Sequence, residues 1–422
     1  MRLSFLIGIL VATVLFWKLG QTESVAAKEV EIRKVLPMDV SYETMEAGSY
    51  LNSIRASMHM QNLSENTQLQ SAAQAHADYL VLNNESTHDE IEGHRNFTGI
   101  KPVHRAFFAE YMSAQVSENL STKNYSARSS VEGLLSAIYH RFGFLSPSID
   151  EIGIGVTQDK TESSKSAFVY LMGNSESNRL CSEENFIGSG KYIYGVCKET
   201  SHRIKEKEYF RALNYYKKEN PRIILYPYDG QEEVPPAFYE EVPDPLPDFS
   251  VSGFPISVEF NDHYFHKLRM HSFKLYIEDG EEVSNVRIMD KESDPHGIFT
   301  AKQYALFPLE RLKYDTKYRV ELEYELQEEI ETLVWYFHTK KPTETFHIVT
   351  EKNESLGIEP DRSHILYFRP LHAHDIIKNI QFPVEVDIVF LDNNTIKLTL
   401  MSDDIEDFDI VTGTRRIHIE IK

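Results

Sequence analysis

Residues 131–156, VEGLLSAIYHRFGFLSPSIDEIGIGV, constrain the fold more than any other stretch of the chain. Val131, Leu134, Leu135 and Ile138 recur at i, i+3, i+4 and i+7, the spacing of a helix that buries one face. The helical run is expected to end on His140 and Arg141. A turn follows at Ser146-Pro147-Ser148, and a strand punctuated by glycines begins near Glu151. His140 therefore sits where a packed helix opens into a turn. A polar group there can be held rigidly and still meet solvent.

Length and charge bound the rest. A chain of 422 residues accommodates about three domains at ~150 residues each. Hydrophobic residues make up 41%, enough for real cores, and the net charge is -21. Such a chain repels nucleic acid and anionic lipid unless it carries a basic stripe, and none is present, so nucleic acid is excluded as a partner. Near the N-terminus a short apolar run, Phe5 to Trp17, follows Arg2, and Val25-Ala26-Ala27 offers small residues for cleavage. Residues 1–27 read as a signal peptide or an uncleaved N-terminal anchor, so the bulk of the chain is expected to be exported: secreted, periplasmic or bound to the cell envelope. The two cysteines, Cys181 and Cys197, are either a disulfide or two buried thiols, and export favours the bridge.

Along the chain, residues 28–42 read as a linker and residues 43–200 as an α+β layered domain of helices followed by a few strands. Asn66 or Thr67 can cap a helix whose stripe is Leu69, Ala72, Ala73, His76 and Leu80; His76 is expected to be a satisfied core residue. Pro102 opens a short helix, PVHRAFFAEY. Residues 201–248 combine a charged helix with YPYDGQEEVPPAFYEEVPDPLPD, rich in proline and acid, which reads as an extended connector without chemistry. From 249 to 341 short strands bounded by turn residues predict a β-sandwich, and residues 342–422 a further β-rich module. VDIVFL-DNN-TIKLTL predicts a hairpin turning at Asp392-Asn393-Asn394.

Several pieces, in order, resemble the CAP superfamily (cysteine-rich secretory, antigen 5, pathogenesis-related-1) in its bacterial form, over about residues 46–174. LNSIRASMHMQNLSENTQLQSAAQAHADYL is similar to the family's opening helix pair. THDEIEGHRNFTGIKPVHRAFFAEY is similar to the bacterial segment from a histidine to an arginine helix. SENL supplies the Glu-Asn motif at Glu118 and Asn119, and YHRFGFLSPSIDEIGIGV the His-Arg element at His140 and Arg141. The resemblance implies an α-β-α sandwich with a ligand-binding cleft at His88, Glu118, Asn119, His140 and Arg141. Where eukaryotic members carry a second cleft glutamate this chain reads Leu134-Leu135-Ser136-Ala137, without an acid, and Glu132 is expected to face elsewhere. FPLERLKYDTKYRVELEYEL and WYFHT resemble bacterial immunoglobulin-like surface modules over about residues 225–340.

Two imidazoles and a carboxylate, at His88, Glu118 and His140, form a candidate set for zinc or another divalent metal. A hydrogen-bonded His/Glu network holding helix to loop uses the same residues. No nucleophile elbow, P-loop or dinucleotide fingerprint occurs. The expected function is therefore non-enzymatic: ligand or partner binding in the cleft, the partner being a protein, a lipid or an envelope polymer, with membrane anchoring offered by the N-terminal apolar run. A metal-dependent hydrolase acting on peptide or envelope polymer and a structural adhesion module are the alternatives.

Overall fold

Two capped helices open the described chain, and their apolar stripes decide what lies beneath them. A computed structural model describes residues 37–422 except 279, 361, 378, 403 and 404. Helix α1, Val40–Ser57, begins at Asp39, whose carboxylate accepts from the N–H of Tyr42. Helix α2, Thr67–Asn83, begins at Asn66, whose side-chain oxygen accepts from Gln68 and Leu69. Such caps satisfy N–H groups that have no partner inside the helix. Helix α3, Pro102–Phe108, starts on its proline.

Four strands form the first sheet: β1 Ser64–Glu65, β2 Val116–Thr122, β3 Glu151–Gln158 and β4 Ser166–Gly173, in the order β1-β3-β4-β2. Strand β4 is buried on both faces. Its Phe168, Tyr170 and Met172 belong to the cluster of Leu51, Val131, Leu135 and Phe144, and its Ala167, Val169 and Leu171 to that of Leu69, Ala73 and Leu80. The result is a three-layer α-β-α sandwich. Gly153 and Gly155 let the α2 backbone press onto β3: a Cβ on either would lie 2.0 or 2.3 Å from backbone atoms of Leu69, Gln70 or Ala73.

The helical run expected to end at His140 and Arg141 is two helices, α4 Ala127–Ser136 and α5 Ile138–Phe144, broken at Ala137, whose ψ is 117°. Alanine has no side-chain oxygen to cap α5, so its first donor is satisfied from elsewhere in the chain. The Cys181–Cys197 disulfide is formed, with Cα atoms 5.4 Å apart, and ties helix α6, Ser175–Ser182, to the loop beyond it.

The proline- and acid-rich stretch is not a plain connector. With the residues just before it, the stretch contributes Ile223–Tyr226 and Gln231–Val234 to two four-stranded sheets, so the strands of the sandwich begin at 223. One sheet runs Val286–Met289, Gln303–Pro308, Ile256–Phe260, Ile223–Tyr226; the other runs Arg269–Ile277, Lys317–Leu326, Glu329–Thr339, Gln231–Val234. Phe260 of the first meets Tyr324 of the second at 5.0 Å between ring centroids, and Trp335 is buried between them. The sheets pack face to face, consistent with immunoglobulin-like modules. On the outer side, Ile138 and Phe142 of α5 join Phe238, Met289, Phe299 and Phe307. The α-β-α layers and this sandwich make one compact unit, ending at Lys341.

Residues 342–422 form a second unit with its own core, including Leu366, Ile396, Leu398, Ile410 and Ile417. Its four-stranded sheet includes the expected hairpin, Val386–Asp392 with Thr395–Leu400. Its three-stranded sheet runs Asn353–Ile358, Arg415–Ile421, Phe408–Thr412. The expectation of membrane anchoring is corrected: among the described residues no helix is long and apolar enough to cross a membrane. The Phe5–Trp17 run and the Val25–Ala27 candidate cleavage site lie outside the described residues.

Candidate functional site

Strand β2 carries Glu118 to the edge of a buried charge cluster. Its carboxylate, almost fully buried, accepts from Arg105 Nη2 at 2.8 and 2.6 Å and from His88 Nδ1 at 2.9 Å. Arg105, on α3, also donates from Nη1 to the carbonyls of His88, Gly99 and Ile100. The guanidinium thus ties the His88 loop to the strand. Behind it, Glu90 accepts from Thr98 N at 2.6 Å, from Gly99 N and from His76 Nδ1 at 3.0 Å. His76 meets the Thr87 carbonyl through its other nitrogen, at 3.1 Å. It is the satisfied core residue expected, and it faces the back of the cluster.

Burial raises the Glu118 carboxyl, but the His88 hydrogen bond and the Arg105 charge outweigh it and hold the carboxyl below the usual carboxylate range. Glu90 behaves alike: burial raises it, while His76, the Thr98 and Gly99 N–H groups and Arg105 lower it further.

His140 stands opposite. Its ring stacks on that of His88 with centroids 6.2 Å apart and planes 22° from parallel. Its Nδ1 lies 3.0 Å from Oε2 of Glu241, and the other oxygen of Glu241 accepts from Ile138 N at 2.7 Å. Glu241 comes from the stretch read as a connector without chemistry. It supplies the cap that Ala137 cannot give α5. Glu132 accepts from Tyr50 on the exposed side of α4, away from the cleft.

Of the expected cleft residues, His88, Glu118 and His140 come together. Asn119 is buried beneath them and donates to the His140 carbonyl at 2.7 Å. Arg141 does not reach the cleft. It is fully buried against the sandwich, donating to the carbonyls of Leu135 and Pro255 and to Ser257 Oγ, with Tyr226 and Phe254 rings 4.8 and 5.0 Å away. The ring faces and carbonyls that receive it could not be foreseen from the His-Arg pair alone.

Of the three residues expected as a metal set, Glu118 offers both oxygens to Arg105 and one to His88. Among the described residues no group of three or more His, Cys, Asp or Glu could hold a metal ion. What remains are the Nε2 atoms of His88 and His140, whose side chains are 42% and 13% exposed. Neither makes a hydrogen bond among the described residues. An ionised carboxylate at Nδ1 accepts a proton from that nitrogen, so in the neutral ring Nε2 is the acceptor the cleft presents.

Arg105, Glu90 and Glu241 were missed as site residues. The first two sit inside the segment whose resemblance runs from a histidine to an arginine helix, so a signal was there. Glu241 had none, being one acid among many beside prolines.

Residues 49–174 match the model of the cysteine-rich secretory protein family, CAP. Among solved structures, an outer surface protein of Borrelia burgdorferi is similar at 19% identity over 32% of this chain and 95% of that one, with a TM-score of 0.28. An extracellular protein containing an SCP domain from Bacillus anthracis is similar at 17% identity over 32% of this chain and 40% of its own, also with a TM-score of 0.28. A cysteine-rich secretory protein from Staphylococcus aureus shows 13% identity over 32% and 40%, with a TM-score of 0.25. No curated protein matches the chain.

Proposed function

We propose that this chain, which carries a CAP domain at residues 49–174, is an exported, non-enzymatic binding protein that recognises its partner through the two imidazoles of the His88–His140 cleft. One observation supports this reading above others: each ring is anchored at Nδ1 by a buried carboxylate, Glu118 or Glu241, and the rings lie 6.2 Å apart. Two oriented Nε2 acceptors suit a partner that presents hydroxyl or amine donors, such as an envelope polymer. Export is supported by the disulfide, because such bonds persist in oxidising compartments. The sandwich then acts as more than a spacer, since Glu241 of its leading segment orients His140.

The test is co-sedimentation of the full chain with purified peptidoglycan. His88→Ala and His140→Ala are each expected to weaken binding at least tenfold while leaving the melting temperature nearly unchanged. A large loss of stability with unchanged binding would assign both rings to a structural network instead. Metal-dependent hydrolysis is the alternative, and carboxylate-anchored imidazoles are also how metal-binding histidines are oriented. Chelator-sensitive turnover, lost in Glu118→Gln, would favour it; the grip of Arg105 on Glu118 counts against it.

A further inference from the structure

A cavity of about 320 Å³ lies within the first compact unit, where the start of β2, helix α5 and the sandwich loop carrying Ile298 and Thr300 meet. It is separate from the His88–His140 cleft, since neither ring lines it. Among its described wall residues none is Asp, Glu, Lys, Arg or His, although 26% of the chain is charged. A charged guest would shed water here with no counter-charge on the wall to replace it, which is costly. The wall therefore selects a neutral guest.

Hydroxyls carry the open polar capacity of the wall, and they belong to residues that solvent reaches. Ser117 of β2 is half-buried, and its hydroxyl makes no hydrogen bond among the described residues. Ser146 and Ser148, also half-buried, bond to each other through their Oγ atoms at 2.8 Å, and Ser146 Oγ accepts from Ser148 N at 3.3 Å. That pair uses one of its two hydroxyl protons and leaves the other to donate. Thr300 is exposed, and its Oγ1 accepts from Lys302 N at 3.3 Å, which leaves its own proton to donate. A hydroxyl both donates and accepts, so a guest bearing hydroxyls complements this wall. The groups come from a strand, a turn and a sandwich loop, so they meet a guest from more than one side. An extended peptide, the competing neutral guest, would instead pair with a single row of backbone groups along the outer edge of β2. Phe142, Ile149, Met172 and Ile298 add apolar wall, suited to the C–H face of a ring. Hydroxyls around a rim and C–H groups on a face are the surface of a pyranose. The volume is at the lower end of ligand pockets, roughly 300–1,000 Å³, and suits one or two rings rather than a long segment. We propose that this junction cavity binds an uncharged sugar unit.

The test titrates the full chain, methyl-labelled at isoleucine and methionine, with methyl β-glucoside, methyl β-galactoside and methyl α-mannoside, followed by methyl NMR. Glucuronate, glucosamine and N-acetylglycinamide are the comparators. At least one neutral sugar is expected to bind saturably and to shift the methyl signals of Ile149, Met172 and Ile298, with glucuronate and glucosamine at least tenfold weaker. Ile298→Trp fills the cavity from an exposed position and keeps every hydroxyl of the wall, so it should abolish binding in a chain of unchanged melting temperature. Ser117→Ala should weaken binding severalfold, and His88→Ala should leave it unchanged, which separates this site from the cleft. If Ile298→Trp fails to fold, the methyl shifts of the wild-type chain decide alone. No saturable binding of any neutral sugar, shifts confined to methyls outside the wall, survival of binding in folded Ile298→Trp, or equal binding of the charged sugars overturns the proposal. So does preference for N-acetylglycinamide, which would make the cavity a peptide site.

Discussion

Glu118 and Arg105 make a nearly fully buried pair at 2.6 Å. Breaking such a pair from one side leaves a charge uncompensated in the interior, which costs about 3–5 kcal/mol. Glu118→Gln is therefore expected to lower unfolding free energy at pH 7 by about 3 kcal/mol, read from urea denaturation. The pH dependence follows from the depressed carboxyls of Glu118 and Glu90. A carboxyl that titrates lower in the folded chain than in the unfolded one binds fewer protons when folded. Its contribution is complete above the unfolded value, about 4.3, and is lost as pH falls through the folded value. Stability should hold from neutral pH to about 5 and fall below about 4, and the Glu118→Gln variant should show a shallower fall. A wild-type melting temperature that stays flat down to strong acid would contradict this.

At the scale of elements, the close approach of α2 to β3 depends on missing side chains. A methyl at Gly155 would lie 2.3 Å from backbone atoms of Ala73, and backbone in a packed helix cannot swing aside as a flexible side chain can. Gly155→Ala is expected to destabilise the first unit by at least about 2 kcal/mol through overpacking, measured by thermal or urea unfolding. Gly133, with nothing within 4 Å of an added Cβ, is the matched control, where alanine in a helix should be neutral or stabilising. Helix α5 shows a different dependence. Its start is capped by Glu241 and its apolar side lies on the sandwich, so its geometry, and that of His140 within it, is set by residues about a hundred positions away.

For the whole molecule, Arg141 decides how the α-β-α layers and the sandwich behave together. Burial lowers its guanidinium to about 10, still charged at neutral pH, and the carbonyls and ring faces around it come from both layers. Arg141→Met would remove the donors from several buried acceptors, each worth about 1–3 kcal/mol when left unmet. Residues 37–341 are expected to unfold in one calorimetric transition, which Arg141→Met either lowers or splits into two. Two separate transitions within residues 37–341 of the wild-type chain, apart from any transition of residues 342–422, would show that the joint carries little energy.

The layered domain, most of the strands beyond it and the candidates His88, Glu118 and His140 are legible in the chain's local pattern and motif order. Helical and strand periods, caps such as Asn66 and the glycines of β3 are local properties, written within a few residues of where they act. Contacts across the folded chain set the rest: Arg105 engages both oxygens of Glu118, Arg141 serves the joint rather than the cleft, and Glu241 pairs with His140. The reason is that a buried charge is governed by what surrounds it in space. The partner of His140 lies 101 positions away along the chain, and reaches it only because the sandwich packs against α5.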